Sequence, residues 1–202
     1  MNQREKASPR FFPVLILLIF QICSLAVSAD NNDIWNDVKS GNSFIIMRHT
    51  LAPGNGDPEN FDLGQCDTHR NLSTEGIQQA QRIGETLTGH GLTNAEVYSS
   101  QWCRCIDTAT AMNIQQPKDL PLLNSFYENR EKGPAQTKAL LQWLKKLNTE
   151  QPVILVTHQV VITALTGVYP ASGEAVVFKL KENSASTDVK ANVDVIHRML
   201  VE

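Results

Sequence analysis

The sequence lacks an excess of positive charge, a zinc-type cysteine spacing, internal repeats and, beyond residue 29, any apolar run able to cross a bilayer. Each absence removes a class of function. The formal charge is −3, and an acidic chain is a poor non-specific binder of nucleic acid, so none is expected among its partners. Any anion site must therefore be a local gathering of Arg and His. Cys103 and Cys105 stand as Cys-x-Cys, short of the Cys-x₂₋₄-Cys spacing that a rival zinc reading would need. No cluster of carboxylates offers to hold a metal, and no cofactor is expected. No linker rich in Pro, Gly or Ser splits the chain.

What is there begins with a leader. Arg4, Lys6 and Arg10 form a basic head, Val14 to Phe20 an apolar core, and Val27-Ser28-Ala29 a small-residue end, the pattern of a secretory signal removed after Ala29. The competing reading is an uncleaved anchor over Phe11 to Ala29, close to the roughly 20 residues a spanning helix needs. Pro13, Gln21 and the small-residue end favour removal. The leader, 1–29, holds three basic and one acidic side chain, so residues 30–202 carry −5. That remainder is long enough for one domain with a sizeable core, periplasmic or secreted and with no membrane span of its own. Export makes a disulfide permissible. Cys103 and Cys105 are too close for an easy mutual bridge, so Cys66 pairs with one of them and one thiol is left over.

From Phe44 onward strand and helix patterns alternate. Ser43 to Met47, Glu96 to Ser99 and Val153 to Val156 read as strands. Ile77, Ala80, Ile83, Gly84 and Leu87 recur at helical spacing behind a Ser73 or Thr74 cap. Trp102 to Met112, Gln136 to Leu147 and Val160 to Leu165 read as further helices, and Pro117, Pro121 and the run to Gly133-Pro134 as a long connection. Ala175 to Leu180 and Val193 to Leu200 are late strands. Buried strands alternating with helices predict an α/β fold with a mostly parallel, helix-covered sheet.

Three of these strands end in chemistry. Met47-Arg48-His49 and Val156-Thr157-His158 each close on an imidazole, and Ser99-Ser100 is followed one helical turn later by Arg104. Taken singly, each residue has a structural explanation: Arg104 could cap a surface turn, and His158 could be a satisfied core histidine. In open α/β sheets, however, ligands bind in the crevice beyond the strand ends. Parallel strands stopping at one edge would bring Arg48, His49, Arg104 and His158 together there.

These motifs, with Arg70-Asn71-Leu72-Ser73-Thr74-Glu75-Gly76 and Tyr98-Ser99-Ser100-Gln101-Trp102-Cys103-Arg104 preceding Thr108-Ala109, resemble the histidine phosphatase superfamily. These are the phosphoglycerate mutase-like proteins, and the resemblance is more particularly to their small exported members. It implies a three-layer sandwich with helices on both faces of the sheet. It also implies His49 as the nucleophile that accepts a phosphoryl group, with Arg48, Arg104 and His158 holding the equatorial oxygens. Nearby guanidiniums would keep His49 neutral and nucleophilic near neutral pH.

Two departures concern the proton donor. Many relatives carry Leu-x-Glu where this chain has Leu123-Asn124-Ser125, and others place Asp after the second histidine, where this chain has Gln159. Glu128 and Asp57 are the remaining acid candidates, each also readable as a solvated surface charge. Without a good acid, turnover is expected to fall steeply as leaving-group pKa rises. The loop 51–68, with Asn55, leaves directly from His49 and is expected to border the pocket. Arg70 either lines the pocket mouth or caps its helix, and Arg70, Asn55 and Glu128 are the expected substrate contacts. The expected substrate is a phosphorylated small molecule or an envelope glycolipid. A phosphomutase, or a pseudoenzyme binding phosphorylated ligands without turnover, are the alternatives.

Overall fold

The computed structural model describes residues 27–147, 150–182 and 186–200. It divides into two compact units, Met1–Asp33 and Ile34–Glu202. The expected leader, 1–29, lies almost wholly outside the described residues. The second unit carries the sheet, both cores and every residue of the site.

Helix α1 (Val27–Lys39) leads into β1 (Phe44–Arg48), α2 (Thr74–Gly89) and β2 (Glu96–Ser99). After α3 (Cys103–Ala111) come the two-residue β3 (Lys118–Asp119), α4 (Gly133–Lys146) and β4 (Val153–Thr157). Helix α5 (Gln159–Thr166) and strands β5 (Ala175–Leu180) and β6 (Val193–Met199) complete the fold. The sheet runs β3-β2-β4-β1-β5-β6. Pairs β1/β4, β2/β4 and β2/β3 are parallel; β1/β5 and β5/β6 are antiparallel.

Period-two alternation sorts the strand side chains to two faces. Ile45, Met47, Ile154, Val156 and Val177 join one core with Trp35 and Val38 of α1, Ile83 and Leu87 of α2 and Ala109 of α3. Phe44, Ile46, Val153, Leu155 and Phe178 join the other, against Leu140 and Leu144 of α4 and Ile162 and Leu165 of α5. Side chains buried so completely contribute about 1.5–3 kcal/mol each. The expected three-layer α/β architecture is what forms.

Several boundaries differ. Helix α1 was not anticipated, because Ile34, Trp35 and Val38 give too few apolar positions to define a helical stripe. Helix α4 begins at Gly133, earlier than Gln136, because Pro134 starts a helix rather than ending a connection: its fixed φ suits the first turn. Strand β3 is too short to leave any periodicity.

Candidate active site

The parallel register decides where the site lies. Arg48 stands opposite Thr157, and Ser99 opposite Val156, so β1, β2 and β4 end together. The ladder continues one residue further: His49 N–H donates to Thr157 O at 2.9 Å and Ser100 N–H to Val156 O at 3.0 Å. His158 caps α5 and Arg104 is the second residue of α3. Arg48, His49, Arg104 and His158 therefore line one cavity of about 70 Å³, and Asn55 and Arg70 line it with them. Helices α3 and α5 both start at this edge, where the positive ends of their dipoles favour an anion.

The two imidazoles meet edge to face, ring centroids 5.6 Å apart, and both are buried. His49 Nδ1 lies 2.8 Å from Thr50 O. A carbonyl only accepts, so Nδ1 carries the proton and Nε2 keeps its lone pair. Burial, and then the charges of Arg104, Arg48 and Arg70, hold His49 down to about 3 against the pull of that carbonyl. It is neutral at any ordinary pH. His158 is likewise held well below the usual imidazole range, by burial first and then by His49 and the three arginines. Its Nε2 lies 2.9 Å from Ser100 Oγ and 3.5 Å from Cys105 Sγ. Burial pushes that thiol up to about 12, so it stays protonated. The Nε donors of Arg48 and Arg104 are buried with no acceptor among the described residues.

The loop after His49 is fastened to this site at several points. Thr108 Oγ1 donates to Arg104 O at 2.7 Å and accepts from Thr50 N–H at 3.1 Å, tying β1's exit to α3. Arg70 donates from Nε to Gly56 O at 2.8 Å and from Nη1 to Ala52 O. Ser73 is the helix cap, accepting from Gly76 N–H at 3.1 Å, so Arg70 serves the cavity mouth and the loop instead. Gly76 permits the close approach of α2: a Cβ there would sit 2.1 Å from Leu51 O. Cys66 bridges to Cys103, Cα atoms 5.7 Å apart, and Cys105 is the free thiol.

Asp57 is not a solvated surface charge. Its Oδ1 accepts from Arg104 Nη1 at 2.5 Å, and Oδ2 accepts from Arg104 Nη2 at 3.2 Å and Trp102 Nε1 at 2.9 Å. Burial pushes this carboxyl up, but the hydrogen bonds from Arg104 and Trp102 outweigh it and hold the group below its ordinary range. Among the described residues it is the only carboxylate lining the cavity. Glu128 lies outside, on the neighbouring hollow that Asp57 and Trp102 also border. Ser125 and Tyr127 complete the cavity wall. Ser125 was read only as the place of a missing acid and Tyr127 not at all, because residues 120–132 carry no periodicity that would aim them.

A neutral nucleophilic nitrogen, three guanidiniums and a second imidazole around one small cavity define a site for a tetrahedral oxyanion, suited to phosphoryl transfer. Residues 44–130 match the histidine phosphatase superfamily (branch 1), in agreement with this fold and site. It is 29% identical over 116 residues to a 2,3-bisphosphoglycerate-dependent phosphoglycerate mutase of Leifsonia xyli subsp. xyli. That match covers 56% of this chain and 45% of the mutase, less than half the relative's length. Among solved structures, the fold is similar to that of the protein histidine phosphatase SixA complexed with tungstate, with TM-score 0.50 and 18% identity over 78% of this chain and 96% of that one. It is also similar to that of the Entamoeba histolytica phosphoserine phosphatase in complex with 3-phosphoglyceric acid, with TM-score 0.53 and 15% identity over 79% and 98%.

Proposed function

We propose that this chain is a phosphatase that hydrolyses a phosphomonoester through a phosphohistidine on His49. The observation that carries the reading is the free Nε2 of a neutral His49 beside three guanidiniums, two of them with an unpartnered buried donor. In the first step Nε2 attacks phosphorus, the N–P bond forms and the P–O bond to the leaving group breaks. Arg48 and Arg104 balance the charge that spreads over the equatorial oxygens, and the neutral His158 ring offers them a hydrogen bond. In the second step water attacks phosphorus, releasing orthophosphate and returning the lone pair to Nε2.

Asp57 is the proton donor in this scheme. A bound phosphate takes Arg104 from the carboxylate and sets a dianion in its place; the loss of a cation and the gain of an anion both raise its pKa. Asp57 then binds a proton, gives it to the leaving oxygen and regains it from the attacking water. The steep dependence on leaving-group pKa expected from sequence is thus expected of Asp57→Asn, and a shallow one of the parent chain. The bridge from Cys66 to Cys103 supports an oxidising compartment, periplasmic or secreted, as the source of the substrate.

Orthophosphate release from para-nitrophenyl phosphate by residues 30–202 tests the reading. His49→Ala is expected to reduce it to background, and equal turnover by the variant would overturn the assignment. The Leifsonia relative favours a mutase as the second reading. A mutase would pass the phosphoryl group to an acceptor hydroxyl, leaving orthophosphate release well below para-nitrophenol release.

A further inference from the structure

A second hollow of about 590 Å³ opens beside the His49 cavity, and Gln159 and Val160 belong to the walls of both. That volume falls within the roughly 300–1,000 Å³ typical of small-molecule sites. The lining is amphipathic. Val160 and Ala164, one turn apart on α5, meet the buried Phe126, while Tyr169 adds a ring that is 72% exposed. Among the described residues no hydrogen bond or ring contact engages this side chain. Three cations, Arg130, Lys138 and Lys190, share this lining with one acid, Asp188, whose Oδ1 accepts from Lys190 N–H at 3.1 Å. Arg130 lies over the Tyr127 ring, 4.9 Å from its centroid, and Tyr127 itself lines the His49 cavity. Among the described residues no ion pair engages Lys138 or Lys190. In a chain of net formal charge −3, this is a local concentration of positive charge continuous with the arginines of the catalytic cavity.

We propose that this hollow holds the leaving group of the phosphomonoester, and that the leaving group is an extended, partly apolar body ending in a second anionic group. The proposal deepens the phosphatase reading and rests on it. The small cavity fits little beyond the transferred phosphoryl group, so whatever is attached to it extends outside, and past Gln159 and Val160 it enters this larger, more cationic hollow rather than the one bordered by Asp57, Glu59 and Glu128. Beyond them it meets apolar surface first and unpaired ammonium groups next. An apolar body is favoured by the area it removes from water, and a terminal anion by the cations around it. A compact monoester would reach neither.

Non-hydrolysable probes read binding apart from turnover. Calorimetric Kd values are measured for methylphosphonate, decylphosphonate and decane-1,10-diylbisphosphonate, alongside turnover of para-nitrophenyl phosphate. The bisphosphonate is expected to bind at least about tenfold more tightly than methylphosphonate, with decylphosphonate between them. The double reversal K138E/K190E changes only exposed side chains. It should remove the advantage of the bisphosphonate over decylphosphonate and leave methylphosphonate binding and para-nitrophenyl phosphate turnover within about twofold. Equal Kd values for the three probes, or a loss on reversal shared by methylphosphonate, would overturn the proposal. If para-nitrophenyl phosphate is not turned over while the length- and charge-dependent binding persists, the phosphatase reading fails and the hollow stands. Turnover without that dependence has the opposite meaning.

Discussion

The loop 51–70 and the connection 120–132 both border the His49 cavity with little regular secondary structure, but they are held by different means. The loop is fixed by the Cys66–Cys103 bridge, the two-toothed pairing of Asp57 with Arg104, and the two donors that Arg70 gives to Ala52 O and Gly56 O. The connection is held by neutral amides. Gln136 Nε2 donates to Leu122 O at 3.0 Å and Asn124 O at 2.7 Å, and Asn124 Oδ1 accepts from Gln101 N–H at 2.9 Å. Charge and covalent linkage thus surround the phosphoryl group, which is the same in every substrate. The side where the substrate body would lie is held by bonds worth about 1 kcal/mol each.

The strongest way to break this contrast is Arg104→Ala. It removes an oxyanion donor and leaves Asp57 without its cation, so kcat/KM for para-nitrophenyl phosphate is expected to fall about a thousandfold. A fall of less than tenfold would mean that the fixed side is not the chemical one. Next comes the paired substitution Cys66→Ser with Cys103→Ser. Opening a 37-residue separation should cost about 3–4 kcal/mol and lower Tm by about 10 °C, with activity lost before the domain unfolds. Unchanged melting and turnover would make the bridge irrelevant to the site.

Acid should probe the same side. The His49 pKa is depressed from 6.5 to about 3, so between those values the unfolded chain binds a proton that the folded chain refuses. Stability should therefore fall as pH falls through that window, by about 1.4 kcal/mol per pH unit from this group alone. Urea unfolding at pH 7, 6 and 5 measures the slope, and His49→Asn should reduce it. The smallest effect is expected from Gln136→Ala on the other wall: about 1–2 kcal/mol in urea unfolding, with para-nitrophenyl phosphate turnover within about twofold. A loss of turnover like that of Arg104→Ala would erase the distinction between the walls.

The same contrast explains what could be read before the structure. His49 and His158 were legible because each closes a short apolar strand, and buried parallel strands fix the direction in which their ends point. Arg104 followed because it sits one turn into the next helix. Asp57 was misjudged because its partner is supplied by the fold across 47 residues, and nothing near Pro53 to Pro58 encodes that meeting. Tyr127 was missed, and Ser125 read only as the place of an absent acid, for the related reason that a connection without periodicity has no face. The choice of Cys103 over Cys105 likewise depended on which way α3 turns.

That choice bears on how the chain matures. Residues two apart on an α-helix point roughly 200° away from each other. Once α3 has wound up, Cys105 is turned into the hydrophobic interior beside His158, and an oxidant meeting the folded protein finds only Cys103 opposite Cys66. Before that winding, either sulfur could react. Helix formation ahead of oxidation thus favours the Cys66–Cys103 linkage, whereas a bridge to Cys105 would tether Arg104 in a different orientation.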